Sequence, residues 1–354
     1  MEESSLLGAY LLYYWPVSYL QVSLAIASLP TGRGAPRRVL DLGAGPGPAA
    51  AAFLDSGSEE IVLVDSSEKA LGLAASLLSA GDKRHVECLR ADLESGAALP
   101  AGPFDAIVAC HSLNELWKGK PNRLDLRLAF LEEVSSLLSP EGFLLLVEPS
   151  LLSTSRDLLA IRDGLSGKGF TVLGPCLRQA ACPALAEGPN LTCHAEVPWS
   201  PPEPLASLAR QAGLDRESVK MTWFGLAPSA SAYSAPTHVA PARDLPSQGS
   251  SAQADAEALV VSDPMLNKAG RVRYILCGDA GRFAFSAKRG DAEATQAGFF
   301  TLARYDRIGI RDAQAREGGA LGFGPGTRLA FLRRAAAIEM TSPTPQGKGA
   351  HGQA

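Results

Sequence analysis

Charge of one sign, a leader-like start and internal repetition are all missing from this chain of 354 residues. Lysine and arginine number 33 against 37 aspartates and glutamates, for a net charge of −4. That balance carries no global signature of nucleic-acid binding, so any RNA contact must come from a local basic patch. Glu2 and Glu3 stand where a secretory signal needs positive charge. Leu6 to Leu29 is apolar enough to raise a membrane span, but Pro16, Ser18, Gln21 and Ser23 interrupt it. Arginine is absent from that stretch, which excludes a transit-peptide pattern. The expectation is two short helices, packed on a sheet or capping a pocket, in a cytoplasmic protein without a membrane span. The lack of repeats excludes a solenoid. What is present, 46% hydrophobic and 20% charged residues, describes a globular core domain with one or two smaller pieces.

The run RVLDLGAGPGPA, Arg38 to Ala49, is a hydrophobic strand, a glycine-rich turn (Gly43, Gly45, Gly47) and an alanine-rich helix. Glycines let backbone N–H groups approach a ligand, and the helix N-terminus adds unpaired donors. Asp41 precedes the first glycine, and a carboxylate there suits the ammonium of an amino-acid moiety better than a pyrophosphate. That points to S-adenosylmethionine. Asp65 ends a second strand about 20 residues on, where ribose hydroxyls need an acceptor. Asp92 follows a third strand and is placed to accept from an adenine amino group. Phe104 to Leu116 reads as a fourth strand running into a polar turn, and Gly142 to Ser150 as an all-apolar fifth. Near-continuous apolar strands alternating with helices predict a parallel sheet covered on both faces, with ligand at the strand carboxyl ends. The expected cofactor residues are Asp41, Gly43, Ala44, Gly45, Gly47, Asp65, Ser66, Asp92, Leu93 and Cys110. A nucleotide-binding domain for another ligand, such as NAD, is the alternative.

Leu151 to Gly169 looks helical, with Ser153 or Thr154 available as a cap and Arg156, Arg162 and Lys168 on a solvated face. Tyr233 to Asp255 is rich in Ala, Pro and Ser and reads as a linker. RVRYILCG and RFAFSAKRG alternate as strands joined at Asp279-Ala280-Gly281, a hairpin signal. Arg271, Arg273, Arg282, Lys288 and Arg289 gather there, and alternate strand positions share a face. The predicted divisions are a helical segment (1–36), a cofactor-binding core (37–170), a Cys-rich segment ending the core (171–232), a linker (233–257), a small β-rich module (258–338) and a disordered tail (339–354).

Four of the six cysteines lie outside the sheet domain. Cys176, Cys182 and Cys193 sit in a proline-rich stretch with little periodicity, which suggests a metal site more than disulfides. Thiolates hold zinc or iron–sulfur clusters, and a cuboidal cluster takes four. The spacing matches no standard zinc finger. The fourth ligand is His194 or Cys277, and Cys277 is favoured because adjacent side chains such as Cys193 and His194 diverge. Cys88 and Cys110, on sheet strands, read as core residues.

Across the N-terminal YYWPVSYLQVSLAIASLP, the loop VLDLGAGPG, the turn SLNEL, the strand end VEPS, the cysteine segment and VSDPMLNKAGRVRYILCG, the chain resembles the methyltransferase-like family of ribosomal small-subunit assembly, known from mitochondria with bacterial relatives. The resemblance implies an α/β fold: a Rossmann-like seven-stranded S-adenosylmethionine-dependent methyltransferase sheet with a Cys-rich metal-binding insertion and a β-rich C-terminal module. It also implies a [4Fe-4S] cluster on Cys176, Cys182, Cys193 and Cys277, and the small ribosomal subunit and its rRNA, not DNA, as partner. The chain departs from the family with Leu177-Arg178 after the first cysteine, Asn190-Leu191-Thr192 before the third, and no Trp-Gly-Asp ending.

Amino methylation of bases commonly uses an acid or Asn with two prolines and an aromatic after the fourth strand. Here that turn reads Cys110-His111-Ser112-Leu113-Asn114-Glu115-Leu116. Asn114 and Glu115 are the weak catalytic candidates, and His111 and Cys110 are more readily structural. Three functions are compatible with these residues: an assembly factor of the small subunit, an active RNA methyltransferase, and a small-molecule methyltransferase with structural zinc.

Overall fold

The computed structural model describes residues 3–30, 34–79, 85–214, 217–228 and 253–335. Two helices come first, α1 (Ser4–Tyr13) and α2 (Trp15–Ser28), the second with Pro16 in its first turn where a missing N–H costs nothing. The sheet domain follows as β1 (Arg38–Leu42), α3 (Pro48–Asp55), β2 (Glu60–Asp65), α4 (Glu68–Leu78), β3 (His85–Arg90), β4 (Phe104–Cys110), α5 (Arg123–Ser135), β5 (Leu138–Pro149), α6 (Leu152–Gly167) and β6 (Phe170–Gly174). It closes through α7 (Pro183–Glu187), β7 (Ala195–Pro198), α8 (Glu203–Gln211) and β8 (Ser218–Pro228).

The strand order is β3-β2-β1-β4-β5-β8-β6, with short β7 paired to β8. Strands β1 to β5 are mutually parallel, and β8 runs antiparallel to β5, β6 and β7. Apolar strands fill both faces. One cluster joins Val39, Leu63 and Val108 to Phe53 and Ala74, and the other joins Leu40, Ile107 and Leu144 to Leu131 and Leu159. Strand order reverses between β1 and β4, and a crevice opens at the carboxyl ends of strands on either side of such a reversal.

A second sheet comprises β9 (Gln253–Val260), β10 (Met265–Leu266), β11 (Arg271–Gly278), β12 (Gly281–Lys288), β13 (Arg307–Ala315), β14 (Leu321–Gly322) and β15 (Arg328–Arg333), with α9 (Ala292–Gln296) between β12 and β13. It is barrel-like, because β9 pairs with both β11 and β13. Its core gathers Tyr274, Phe285, Phe299 and Phe323, with edge-on ring pairs at 5.0–5.3 Å.

Several sequence expectations are corrected. Strand β9 begins at Gln253, inside the stretch 233–257 read as linker. Helix α6 has Leu151 at its N-cap with no side-chain cap, so neither Ser153 nor Thr154 serves. Cys88 is exposed rather than in the core, because β3 is the outermost strand of the sheet. The cysteine segment is not wholly loop, since it contains α7 and β7. Residues 229–252 and the tail 339–354 lie outside the described residues. Among the described residues no helix is long and apolar enough to cross a membrane.

Candidate functional site

The crevice is built by the turn after β1. Gly43, Gly45 and Gly47 all have positive φ, and a Cβ at Gly43 would come within 2.4 Å of the Ser112 Cβ. Only glycine fits this close approach of the β1 and β4 turns. The N–H groups of Gly43 and Ala44 both donate to the Val64 carbonyl, at 2.8 and 3.0 Å. Asp65 bridges the loop, accepting from Gly45 N at 2.8 Å and Ser67 N at 2.8 Å. Asp41 is 1% exposed and accepts from Ala50 N at 3.2 Å. Burial pushes its carboxyl up to about 7, against the pull of the Ala50 N–H and with a further push from Asp65. The Cys110 thiol is driven well above its ordinary value by burial, then by Asp41 and Glu148, so it is a neutral packing group and not a nucleophile.

Two N-terminal aromatics that sequence reasoning did not single out complete the crevice. Trp15 donates its indole N–H to the Pro46 carbonyl at 3.0 Å, fixing α2 to the glycine loop. Tyr10, on α1, has its phenol pushed up by burial and by the nearby Cys110, Asp41 and Asp65. The structure therefore brings Asp41, the glycine loop, Asp65 and Cys110 together beneath α1. Asp92 and Leu93 stand in the turn beyond β3, with Asp92 accepting from Glu94 N at 2.9 Å. Ser66 is exposed at the end of β2, and its carbonyl accepts from Arg90 Nε at 3.3 Å.

The two catalytic candidates are otherwise engaged. Asn114 donates its side-chain amide to Glu148 Oε2 at 2.5 Å and to the His111 carbonyl at 3.2 Å, and its backbone N–H reaches Glu148 Oε1 at 3.0 Å. Both amide hydrogens are spent inside the protein. Glu115 is exposed and paired with Lys118 at 2.9 Å. Glu148 is the residue sequence reasoning missed. The signal was an acid closing the apolar run Phe143 to Val147 of β5, and its carboxyl is pushed up to about 8 by burial against the pull of Asn114 and Arg127. His111 sits at a positive φ of 58° with Nε2 buried, and burial lowers it to about 4.

The second site lies between the two sheets. Cys176, Cys182, Cys193 and Cys277 line one cavity, together with Arg162, Arg178 and Arg282. Burial pushes all four thiols up, Cys277 to about 12, with a further push from neighbouring thiols at Cys176, Cys193 and Cys277. Cys193 Sγ lies 3.6 Å from the Tyr305 hydroxyl. His194 is absent from the lining and stands 3.9 Å from Glu196. Among the described residues no group of three His, Cys, Asp or Glu side chains is arranged to hold a metal ion, so the expected iron–sulfur or zinc site is not itself shown.

Arg156 and Arg162 correct the reading of α6 as solvated. Arg162 is 1% exposed, binds the Ala180 carbonyl at 2.6 Å and the Arg178 carbonyl, and pairs with Asp163 at 2.6 Å. Arg156 binds the Gly188 and Leu191 carbonyls at 2.8 and 2.7 Å. An irregular segment leaves its carbonyls without ladder partners, and these guanidiniums supply donors. Arg282 shares the face of Lys288 by alternation but is not open to solvent contacts as expected, because it pairs with Glu187 at 2.7 Å beside the cavity.

Residues 39–142 match a family model described as a methyltransferase domain. Comparison with curated proteins gives no match. Solved structures with partial likeness include a ribosomal protein L11 methylase from Lactobacillus delbrueckii subsp. bulgaricus, at 14% identity over 59% of this chain and 79% of that chain, TM-score 0.35. Another is a TehB-like SAM-dependent methyltransferase from Corynebacterium glutamicum, at 17% identity over 45% of this chain and 77% of that chain, TM-score 0.32. Likeness at this level bears on neither substrate nor partner. The family match over residues 39–142 and the strand order together give this part of the chain the α/β sheet of a methyltransferase domain.

Proposed function

We propose that the chain binds S-adenosylmethionine in the β1–β4 crevice, holds a [4Fe-4S] cluster on Cys176, Cys182, Cys193 and Cys277, and acts on the small ribosomal subunit through rRNA. The observation that carries this reading is the meeting of four thiols, from two segments far apart in sequence, around one cavity. The donor set is all sulfur. A single zinc ion needs four ligands converging on one point at about 2.3 Å, whereas a cuboidal cluster is several atoms across and takes its four cysteines around a void. Of the lining arginines, Arg162 and Arg282 are paired with Asp163 and Glu187, and Arg178, which forms no ion pair with a described residue, supplies positive charge towards a thiolate-bound cluster. The all-thiol donor set and the resemblance carry the cluster, with zinc as the alternative.

In the crevice, Asp41 takes the methionine end of the cofactor, the loop Gly43-Ala44-Gly45 and Gly47 its carboxylate side, and Asp65 with Ser66 the ribose. Asp92, Leu93 and Cys110 border the adenine. Bound S-adenosylmethionine supplies an electrophilic methyl group. The residues around it supply binding rather than proton transfer, because Asn114 is tied to Glu148 and Glu115 faces solvent. That favours an assembly factor over an active RNA methyltransferase. The matched methyltransferase domain supports the second reading. Co-sedimentation with purified small subunits, run beside radiolabelled methyl transfer to total RNA, tests both. Co-sedimentation without labelling supports the assembly factor. Labelling abolished by Asp41→Ala supports the enzyme, and the absence of both refutes the ribosomal reading.

A further inference from the structure

The C-terminal sheet closes in a specific way. Strand β9 is antiparallel to β11 and β13, β11 is antiparallel to β12, β12 is parallel to β14, and β14 is antiparallel to β13. Five strands thus form a ring in the order β9-β11-β12-β14-β13, α9 lies between the third and fourth in sequence, and β15 extends the fifth along β13. This is the strand order of an OB-fold, a five-stranded Greek-key barrel. Its characteristic binding surface is the face of the second and third strands with the first-to-second and fourth-to-fifth loops.

That surface has a definite charge here. Tyr274, Leu276, Phe285 and Ala287 point into the barrel and are buried, so alternation turns Arg271, Arg273, Ser286 and Lys288 outward. Register places Arg271 opposite Lys288, and Arg273 opposite Ser286. Arg289 follows β12, and the Arg316 side chain, from the fourth-to-fifth loop, lies over Gly322, the partner of Ser286. Like charges set opposite one another are destabilising unless something answers them. None of Arg273, Lys288, Arg289 or Arg316 forms an ion pair with a described residue, and Arg271, also without one, donates to Ser286 Oγ at 3.3 Å and to the Ser286 carbonyl at 2.9 Å. Arg282, Arg304 and Arg307 of the same barrel are paired, and Arg311 and Arg328, without an ion pair to a described residue as well, stand on β13 and β15 rather than on this face.

We propose that this end of the β11–β12 face is a docking surface for the phosphate backbone of single-stranded RNA. The proposal rests on the reading that the protein acts on RNA and names the surface that does so. The outward residues of the two strands include no ring, since Tyr274 and Phe285 are buried in the barrel and Phe283 packs against its core. Base stacking therefore contributes little there, and recognition is electrostatic and tolerant of sequence. The opposite end of the same face, at Cys277 and Arg282, is covered by the cysteine segment. RNA is thereby confined to the half that begins β11 and ends β12.

The test uses the full chain and a fluorescent twelve-nucleotide uridine RNA, with anisotropy read across a salt series. Four phosphate contacts, one each for Arg273, Lys288, Arg289 and Arg316, give a log–log salt slope near about −3 for a single strand. The double variant Arg273→Glu/Lys288→Glu is expected to lose at least about tenfold in affinity and to flatten the slope by about 1.4. Arg311→Glu/Arg328→Glu, an exposed arginine pair at matched register on β13 and β15, is expected to change affinity by less than about twofold. The neutral pair Arg273→Ala/Lys288→Gln should flatten the slope as well, which separates charge loss from misfolding. If wild type binds and both β11–β12 variants bind equally well with the same slope, this surface is wrong and the RNA reading stands. If wild type binds no RNA at any salt, the RNA reading falls and takes this proposal with it.

Discussion

Asp65 uses both carboxylate oxygens on the backbone of its own crevice, one on Gly45 and one on Ser67. It therefore holds the glycine loop in shape, and on the proposed reading it also accepts from a ribose. A charge-assisted hydrogen bond is worth about 1.5–3 kcal/mol, so Asp65→Ala should weaken S-adenosylmethionine binding roughly 10- to 100-fold by calorimetry. Unchanged affinity would remove Asp65 from the site. His111 makes a prediction of the opposite kind. Its folded-state value, lowered to about 4 by burial, lies below the ordinary 6.5. A group so depressed stabilises the fold above its unfolded pKa, and that contribution drains away as pH falls from about 6.5 towards 4. Between pH 7 and pH 5 the wild type should lose about 2 kcal/mol through this residue. His111→Asn, which tolerates the positive φ, should lose less over the same interval in urea unfolding. Parallel curves for the two proteins would show that the imidazole is not buried neutral.

At the scale of elements, helix α6 organises the cysteine segment. Its arginines reach four carbonyls of that segment with strong geometry, including Ala180, Gly188 and Leu191 at 2.6–2.8 Å. Removing one partner of a buried charged network costs about 3–5 kcal/mol. Arg162→Met should accordingly raise hydrogen exchange through residues 174–199 while leaving β1 to β5 protected. Protection unchanged in that segment would mean that α6 does not hold it. The elements themselves were largely legible, because apolar strands, a glycine turn and the 271–288 hairpin each leave a local pattern. The face of α6 was not. Its arginines have ordinary surface spacing, and only the arrival of a segment without ladder partners gives them carbonyls to bind. Glu148 left only the local signal of an acid closing an apolar run, and not its role, since its partner Asn114 lies 34 residues away.

At the scale of the molecule, polar joints hold the barrel to the sheet domain, among them the Cys193–Tyr305 contact and the Arg304–Glu196 pair. Arg333 caps the carboxyl end of α2 through the Ala27 and Ser28 carbonyls at 2.5 and 2.7 Å. Arg282 meets Glu187 at 2.7 Å, and Arg178 meets the Asp279 carbonyl. Between the last two lies the cavity of the four thiols. The cysteines could be picked out from the sequence by their place in a segment that cannot offset its ordering entropy through apolar burial. Cys277 was legible as the fourth from the sequence and the resemblance, but the packing that brings it to the other three was not, because it depends on how the barrel docks. The barrel's closure was equally out of reach, since β14 is two residues long and its parallel pairing with β12 joins positions with no local signature. The central claim is that these four thiols share one cluster. Anaerobically purified wild type, assayed for iron and zinc with its visible spectrum recorded, should carry about four iron per chain and a broad charge-transfer absorption. Cys277→Ser should lose most of both. Zinc at one per chain, or full iron in Cys277→Ser, would contradict the account.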